Sequence, residues 1–565
     1  MNIIGIDVGG TNTDATFIHH GQVVGMAKVP TDHEELIEST KQALDEIMAY
    51  YSGSQPVQLH LSTTLSTNAI IEGTGATTAV LGMPGPGVNL AALDLGFPFF
   101  PVQGYIDHRG REVAGLDEGE VLAAAREARS SGAETLAIAG KFSHRNPVQE
   151  QQAAAIVDRS GLGFGNVTLG HRLSGRANFP RRMVTAYLNS RVAGLQTQFG
   201  HIIENLLATG QYRAIQEVLI LKADGGTMFL PESCLRPVET ILSGPAASIM
   251  GAQALSRHPL ENAVIVDIGG TTTDIAVIVT GEPLYQRGGA DIAGYQTLVP
   301  ALFTRSIGLG GDSEIHAQVR EGNVHFVLGP KRAGMPAAMG GRLPTPTDAA
   351  VALEMAHIGD RERARDSLKK LAEPLGLSWQ SAAQGIIDAF ANQLVEAIRA
   401  IYRRLDGIPL YTVSEILAPP DFHAQVMVGL GGPAQVFIPL AARLMDLPWE
   451  ILPFSRGANA IGAAAARPTA AITFHADTEL EVVTVPEIGY QGTIERALLF
   501  DHKRARQEAL RQAASYAEKL GLSDHDDVHI VEEESFNVVR GFHTVGRIHT
   551  IRTQLRPRVR RIEVT

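Results

Sequence analysis

The chain has 565 residues, 44% hydrophobic and 19% charged, a length for two to four globular domains. Its net charge of −12 and pI near 5.9 argue against nucleic-acid binding, and no run of 18 apolar residues offers a membrane span. One cysteine, Cys234, excludes an internal disulfide and a cysteine-based metal cluster; with no basic-then-apolar leader at the N-terminus, the expectation is a cytoplasmic protein.

The first stretch reads Ile6-Asp7-Val8-Gly9-Gly10-Thr11-Asn12-Thr13-Asp14 between apolar runs, and Gly21 closes it. It predicts a strand, a Gly-Gly turn and a second strand. Glycine lacks a Cβ, so a ligand can approach the backbone, and successive amide N–H groups there make an anion-binding concavity. The stretch returns as Val266-Asp267-Ile268-Gly269-Gly270-Thr271-Thr272-Thr273-Asp274, closed by Gly281. From Asp to Asp the copies differ only at Val8/Ile268 and Asn12/Thr272. One such hairpin is ordinary; two point to paired phosphate sites, with Thr11, Thr13, Thr271 and Thr273 adding hydroxyl donors. Asp7 and Asp267 end the leading strands, where one or two carboxylates plus phosphate oxygens suit a hydrated Mg²⁺.

Between the copies, Thr31-Asp32 reads as a helix start, and Val57 to Leu61 as a strand delivering Ser62-Thr63-Thr64-Leu65-Ser66-Thr67-Asn68 at a strand-to-helix junction. Capping uses one or two such groups; the rest suggest contact with a polar substrate. The Gly/Pro-rich span 82–115 reads as a surface excursion. Glu118 to Ser131 predicts a helix, Thr135 to Phe142 a buried strand, and Asn178 to Ala208 one or two long helices linking lobes. Glu217 to Ala223 is a further strand, followed by Asp224-Gly225-Gly226-Thr227, and Ser243-Gly244-Pro245-Ala246 opens a helix beside the second copy.

Further on, Gly308-Leu309-Gly310-Gly311-Asp312-Ser313 is a glycine turn carrying a carboxylate, and Gly329 to Pro346 a loop. Gln384 to Leu405 predicts an amphipathic core helix. Ala424 to Val428 runs into Gly429-Leu430-Gly431-Gly432-Pro433 and a helix, a cradle for a ribose and base, and Gly457 to Ala466 is a small-residue helix suited to close packing. Beyond residue 471 the pattern turns to a small α+β region. Its Arg552, Arg556, Arg558, Arg560 and Arg561 read as edge-strand charges. A P-loop is absent, since Gly140-Lys141 is followed by Phe142, and no His-Glu-x-x-His or Gly-x-Ser-x-Gly motif occurs.

Two phosphate hairpins with leading aspartates and a late strand, Gly-Gly turn and helix resemble the actin-like ATPases. Within that class the chain resembles the hydantoinase A / 5-oxoprolinase family at Asp7 to Asp14, Ser62 to Asn68, Asn146-Pro147, Asp224 to Gly226, Ser243 to Ala246, Asp267 to Asp274, Pro344 to Ala349 and Gly429 to Pro433. The resemblance implies an α/β fold of two lobes, like actin, sugar kinases and heat-shock chaperones, with a C-terminal α+β appendage. Residues 1–210 are the first lobe with a linking helix, 211–470 the second lobe, and 471–565 the appendage.

It also implies ATP-dependent opening of a cyclic amide such as a hydantoin, 5-oxoproline or another lactam, by phosphorylation of the carbonyl oxygen. The resemblance further implies a hydantoinase B-like partner subunit that would complete hydrolysis, and homo-oligomerisation is compatible with this. Asp7, Thr11 and Asp267 are the expected catalytic residues, with Asp7 and Asp267 holding Mg²⁺. ATP would meet Gly9, Gly10, Thr11, Asn12, Thr13, Gly269, Gly270, Thr271, Thr272, Gly310, Gly311, Gly431 and Gly432, and the substrate Thr64 and Asn68. Departures are Gly310-Gly311-Asp312-Ser313 in place of the family's Gly-Gly-Gly-Ser, and the short loop Gly334 to Met339 in place of Pro-Gly-Pro-x-Cys-Tyr. The alternatives are an ATP-driven reactivase or chaperone, and an ATP-dependent ketone-carboxylase subunit.

Overall fold

Both Gly-Gly octapeptides fold as antiparallel hairpins in the computed structural model, which describes residues 2–10, 12–32, 36–53, 55–89, 95–257, 259–286, 288–320, 322–407, 421–520, 522 and 528–563. The first pairs Asn2–Val8 with Asn12–His19, bringing Asp7 opposite Asp14; the second pairs Ala263–Ile268 with Thr273–Val279, bringing Asp267 opposite Asp274. The leading strands are almost wholly apolar and β-branched, and Ile3, Ile4, Ile6, Val264, Ile265 and Val266 are all buried. Each hairpin continues through a two-residue turn with both residues at positive φ, His20 (49°) and Gly21 (85°), Thr280 (51°) and Gly281 (83°). These are type I′ turns, whose twist matches that of the strands they join.

Each leading strand also pairs in parallel with a strand from later in the chain. Asn2–Val8 runs beside Val57–Thr63, and Ala263–Ile268 beside Val426–Leu430. The first six-stranded sheet has the order 227–229, 215–221, 57–63, 2–8, 12–19, 22–30; the second runs 282–283, 273–279, 263–268, 426–430, 449–451, with 304–307 on strand 273–279. The molecule therefore has two α/β lobes built around duplicate hairpins. Residue 210 falls just beyond the long helix Phe179–Leu207, yet strands Ile215–Leu221 and Thr227–Phe229 still belong to the first sheet. That helix joins the core of the first sheet, through Phe199 and Ile203, to the core of a separate four-stranded sheet, through Met183 and Leu188.

The four-stranded sheet corrects the expectation for 82–115. Phe99–Pro101 pairs in parallel with Thr78–Met83, and Val102 and Ile106 are buried, so the Gly/Pro-rich span is an excursion only on either side of a strand that returns to a sheet. The helix Trp379–Asp406 covers the second sheet with its predicted stripe, Ile386, Phe390, Leu394 and Ile398, and Phe390 stacks on Phe437 at 3.7 Å.

Two short-side-chain helices, Ser243–Leu255 and Ala458–Ala465, form a layer whose core is shared by Ile3 and Ile18 of the first sheet and Ile265, Val428 and Leu430 of the second. Strands 471–477, 482–485, 490–493, 528–540 and 543–555 build a five-stranded antiparallel sheet under the helix His502–Lys519. Its strand His543–Leu555 lies between Ala471–Asp477 and Val528–Arg540, so Arg552 sits on an interior strand rather than at an edge. Among the described residues no helix is long and apolar enough to cross a membrane.

Candidate functional site

The alternation of a strand sends Asp7 and Asp267 out of the ends of the two leading strands, and the shared helix layer brings them to a common amide. Asn459, in the first turn of Ala458–Ala465, lies beside both carboxylates and favours their charged forms. Ser248, on the facing helix, donates to Asp267 Oδ2 at 2.6 Å and lies 3.0 Å from Asn459 Oδ1. Asp7 is less well served: it is 6% exposed and its Oδ1 is buried without a hydrogen-bond partner. Burial pushes the Asp7 carboxyl up to about 7, eased by the Ser62 hydroxyl beside it and raised further by the charges of Asp14 and Asp267.

The carboxyls of the opposing strand behave alike. Burial and the charge of Asp267 raise Asp274 to about 6; burial raises Asp14, while Lys28, 2.7 Å away, offsets it. The site is a crowded set of acids that favours a cation. Among the described residues no group of three or more His, Cys, Asp or Glu could hold a metal alone. An ion here needs oxygens beyond the two aspartates, which fits Mg²⁺ on one or two carboxylates plus phosphate and water.

The glycine segments predicted to act together do meet. Gly311 N donates to Gly269 O at 3.0 Å and Asp312 N to Gly270 O at 2.7 Å, so 310–312 lies along the second turn. A Cβ on Gly310 would stand 2.3 Å from Gly270 O, and one on Gly311 would meet Thr347 Oγ1 and Pro433. Gly431, at φ 84°, would place a Cβ 2.1 Å from Ile268 O. These three glycines are required by close packing. Gly10 and Gly432 are the open ones: a Cβ there would meet nothing within 4 Å. Gly9 and Gly269 donate to Asn12 O and Thr272 O at 3.1 and 2.9 Å, closing the two turns alike.

Gly270 departs from its counterpart Gly10, because the Asp312 carboxylate lies 2.7 Å from where its Cβ would be, held by Arg332 at 2.9 Å. Thr13 corrects an expectation. Its hydroxyl is fully buried and shared with Thr31 Oγ1 at 3.0 Å, since every second residue of the strand faces the core; the Thr273 hydroxyl likewise donates to Leu309 O. Thr11 lies outside the described residues.

The hydroxyl row 62–68 is largely used internally. Ser66 and Thr67 bond across to Thr240 and Leu242, and Thr63 accepts from Leu65 N. Thr64 Oγ1 donates to Val8 O at 3.2 Å and Asn68 Nδ2 to Thr64 Oγ1 at 3.4 Å, which keeps this half-buried pair next to the first hairpin's turn. Sequence reading missed Asn459, Ser248 and Asp348. Asp348 is buried and accepts from Ala337 N, Ala338 N and Thr345 N, fixing the loop before it; the capping-box spelling Thr345-Pro346-Thr347-Asp348 was its signal.

Comparison with known proteins gives two family matches: the Hydantoinase/oxoprolinase model over residues 182–472 and the Hydantoinase/oxoprolinase N-terminal region over residues 3–161. Caprolactamase subunit alpha of Pseudomonas jessenii is 28% identical over 478 residues, covering 77% of this chain and 66% of that protein. The acetophenone carboxylase gamma subunit of Aromatoleum aromaticum is 26% identical over 458 residues, covering 71% and 61%. The chain thus spans about two thirds of the length of these relatives. A crystal structure of ATP-dependent caprolactamase from Pseudomonas jessenii shares the fold, with a TM-score of 0.70 at 21% identity over 98% of this chain and 87% of that one.

Proposed function

The chain belongs to the hydantoinase/oxoprolinase family, and on that premise we propose that it is the ATP-using component of an enzyme that opens a cyclic amide by phosphorylating its carbonyl oxygen. The observation that carries the reading is the convergence of Asp7 and Asp267, from the tips of two duplicate hairpins, on Asn459. The names of the relatives support it: one is a subunit of a caprolactamase, and the solved protein sharing the fold is an ATP-dependent caprolactamase.

Asp7 and Asp267 are assigned to hold a hydrated Mg²⁺, which, when bound, neutralises phosphate charge. Ser248 and Asn459 orient the two carboxylates. The backbone at Gly10 and Gly432 gives phosphate and nucleoside close approach, with Gly9, Gly269, Asn12 and Thr272 shaping the turns. Thr64 and Asn68, beside Val8, are assigned to the substrate. A carbonyl oxygen carries no proton, so no general base is needed and catalysis reduces to alignment and charge placement. The γ-phosphoryl passes from the ADP oxygen to the amide oxygen, forming a C–O–P bond; water addition at the carbon, C–N cleavage to the acyl phosphate and its hydrolysis by a second water to carboxylate and inorganic phosphate are assigned to a hydantoinase B-like partner. One unpaired cysteine accords with a cytoplasmic setting.

The second reading, a ketone-carboxylase subunit, is favoured by the acetophenone carboxylase relative. Both are tested by ADP release from the purified chain with Mg-ATP and a panel of hydantoins, lactams, 5-oxoproline and simple ketones, with and without bicarbonate. Stimulation by a cyclic amide is expected. Stimulation by ketones alone would select the carboxylase reading, and slow turnover indifferent to every compound would favour a reactivase.

A further inference from the structure

A cleft of about 250 Å³, on the order of eight water volumes, opens where the loop after strand Thr135–Gly140 and the start of helix Phe179–Leu207 meet the C-terminal sheet. None of its lining residues belongs to either hairpin or to the glycine turns. Its wall carries Arg145, Arg176, Arg181 and Arg552 against two carboxylates, Glu532 and Glu534.

The polar groups of this wall divide into those already satisfied and those left over. His475 Nε2 lies 2.8 Å from Gly175 O, which only accepts, so this nitrogen carries the proton; Nδ1 then accepts from the Thr550 hydroxyl at 3.1 Å. Thr550 Oγ1 in turn accepts from Arg145 Nη2 at 3.3 Å. Arg176 pairs with Glu532 at 2.9 Å, and Arg181 donates to Gly288 O at 2.8 Å.

Three donor groups remain. Arg145 Nε is buried without a partner. His144 is fully buried, its ring 5.3 Å from that of His475, and neither ring nitrogen has a partner. Burial, with Arg182 and His475 next to it, keeps His144 neutral, so it offers one N–H donor. The Arg552 guanidinium makes no hydrogen bond to a described residue, though Glu487 and Glu532 act on it through their charges. A guanidinium has donors only, and that of Arg552, on a half-buried residue, is open to an acceptor entering the cleft.

We propose that this cleft is a binding site for a small carboxylate, received by the Arg552 guanidinium and completed by Arg145 Nε–H and the His144 ring. The planar fork of an arginine matches a carboxylate at two points. Glu532 and Glu534 in the same wall disfavour the second charge of a phosphate dianion. The site does not depend on the reading of the hairpins.

The test is isothermal titration calorimetry of the full-length chain with acetate, succinate and inorganic phosphate at fixed ionic strength. Saturable binding of a carboxylate is expected, weakened at least tenfold by Arg552→Met and by Arg145→Gln, and partly retained by Arg552→Lys. Absence of saturable carboxylate binding, or binding indifferent to both arginines, would overturn the proposal. Phosphate binding in preference to both carboxylates would overturn the ligand class. Should Arg552→Met fail to fold, Arg145→Gln decides alone, because it keeps a polar side chain of similar reach.

Discussion

Asp7 and Asp267 carry the same motif but not the same burden: Ser248 donates to Asp267, whereas Asp7 Oδ1 has no partner. Because burial raises the Asp7 carboxyl from 3.8 to about 7, the folded chain keeps a proton that the unfolded chain has lost across that range. This group therefore favours folding below about pH 4, and its contribution falls as pH rises toward 7. A tenfold change in proton affinity corresponds to about 1.4 kcal/mol. Asp7→Asn is expected to exceed the parent in unfolding free energy at pH 8 without Mg²⁺, by about 1 kcal/mol or more, and to lose Mg-ATP turnover; urea titrations at pH 5 and 8 check the first, and equal stability at both would refute it. The Asp312 carboxylate stands over a turn whose counterpart at Gly10 is open. Removing its charge in Asp312→Asn is expected to lower the KM for ATP about fivefold, on the order of 1 kcal/mol, read from initial rates. The aspartates are legible because two octapeptides repeat, and the resemblance to a known pattern exposes Asp312 as a substitution. Asn459 is not: its only local signal is being the one polar side chain between Gly457 and Ala466, and its partners are hundreds of residues away.

The helix Ala458–Ala465 works through what its neighbours lack. A Cβ on Gly462 would stand 2.0 Å from Ala247 O, one on Gly251 2.3 Å from Ala458 O, and one on Gly5 2.1 Å from Ala460 O. All three obstacles are backbone, so relief requires moving a helix or strand rather than turning a side chain. Such contact sets the depth at which Asn459 enters the site. Gly462→Val is expected to cost about 1–3 kcal/mol, in the range of overpacked cores, and to reduce ATP turnover by displacing Asn459. Gly194→Ala is the matched control. It lies exposed within the helix Phe179–Leu207, a Cβ there meets nothing within 4 Å, and a gain of about 0.5–1 kcal/mol is expected from helix propensity. Calorimetric melting of both variants separates close packing from a general effect of glycine. The run of small residues announces close packing in the sequence, but not that two helices from distant segments form the layer between sheets. Arg552 lies on an interior strand rather than an edge for the same reason. Composition marks its segment as a strand, whereas the order of strands within a sheet is set by long-range pairing.

The change of pattern near residue 471 is plain in the sequence, and it suggests a small α+β appendage; the packing ties that region into both lobes. After leaving its sheet the chain runs back through both lobes, with Arg560 N donating to Ala465 O at 2.9 Å, Ile562 N to Ala254 O at 3.1 Å and Glu563 N to Gly21 O at 2.8 Å. The last of these reaches the turn that closes the first hairpin. A second tie is ionic: the side chain of Arg109, 8% exposed, meets Asp477 in a bidentate pair at 2.6 and 2.9 Å and also pairs with Glu479. Removing the guanidinium leaves the poorly solvated Asp477 carboxylate without its cation, beside a Glu479 held only by Arg540, which is where the energy of a buried pair resides. Arg109→Ala is therefore expected to destabilise by about 3–5 kcal/mol, while an exposed pair such as Arg159 with Glu118 contributes less than about 1 kcal/mol when Arg159 is replaced by alanine. The two variants also test whether the molecule unfolds as a unit. With the C-terminal sheet stitched to both lobes, Arg109→Ala should shift a single calorimetric transition to lower temperature. An early-melting component, together with new protease cleavage near residue 470 and unchanged melting of the remainder, would mean that the C-terminal region is an independent module and that these contacts are incidental to the stability of the lobes.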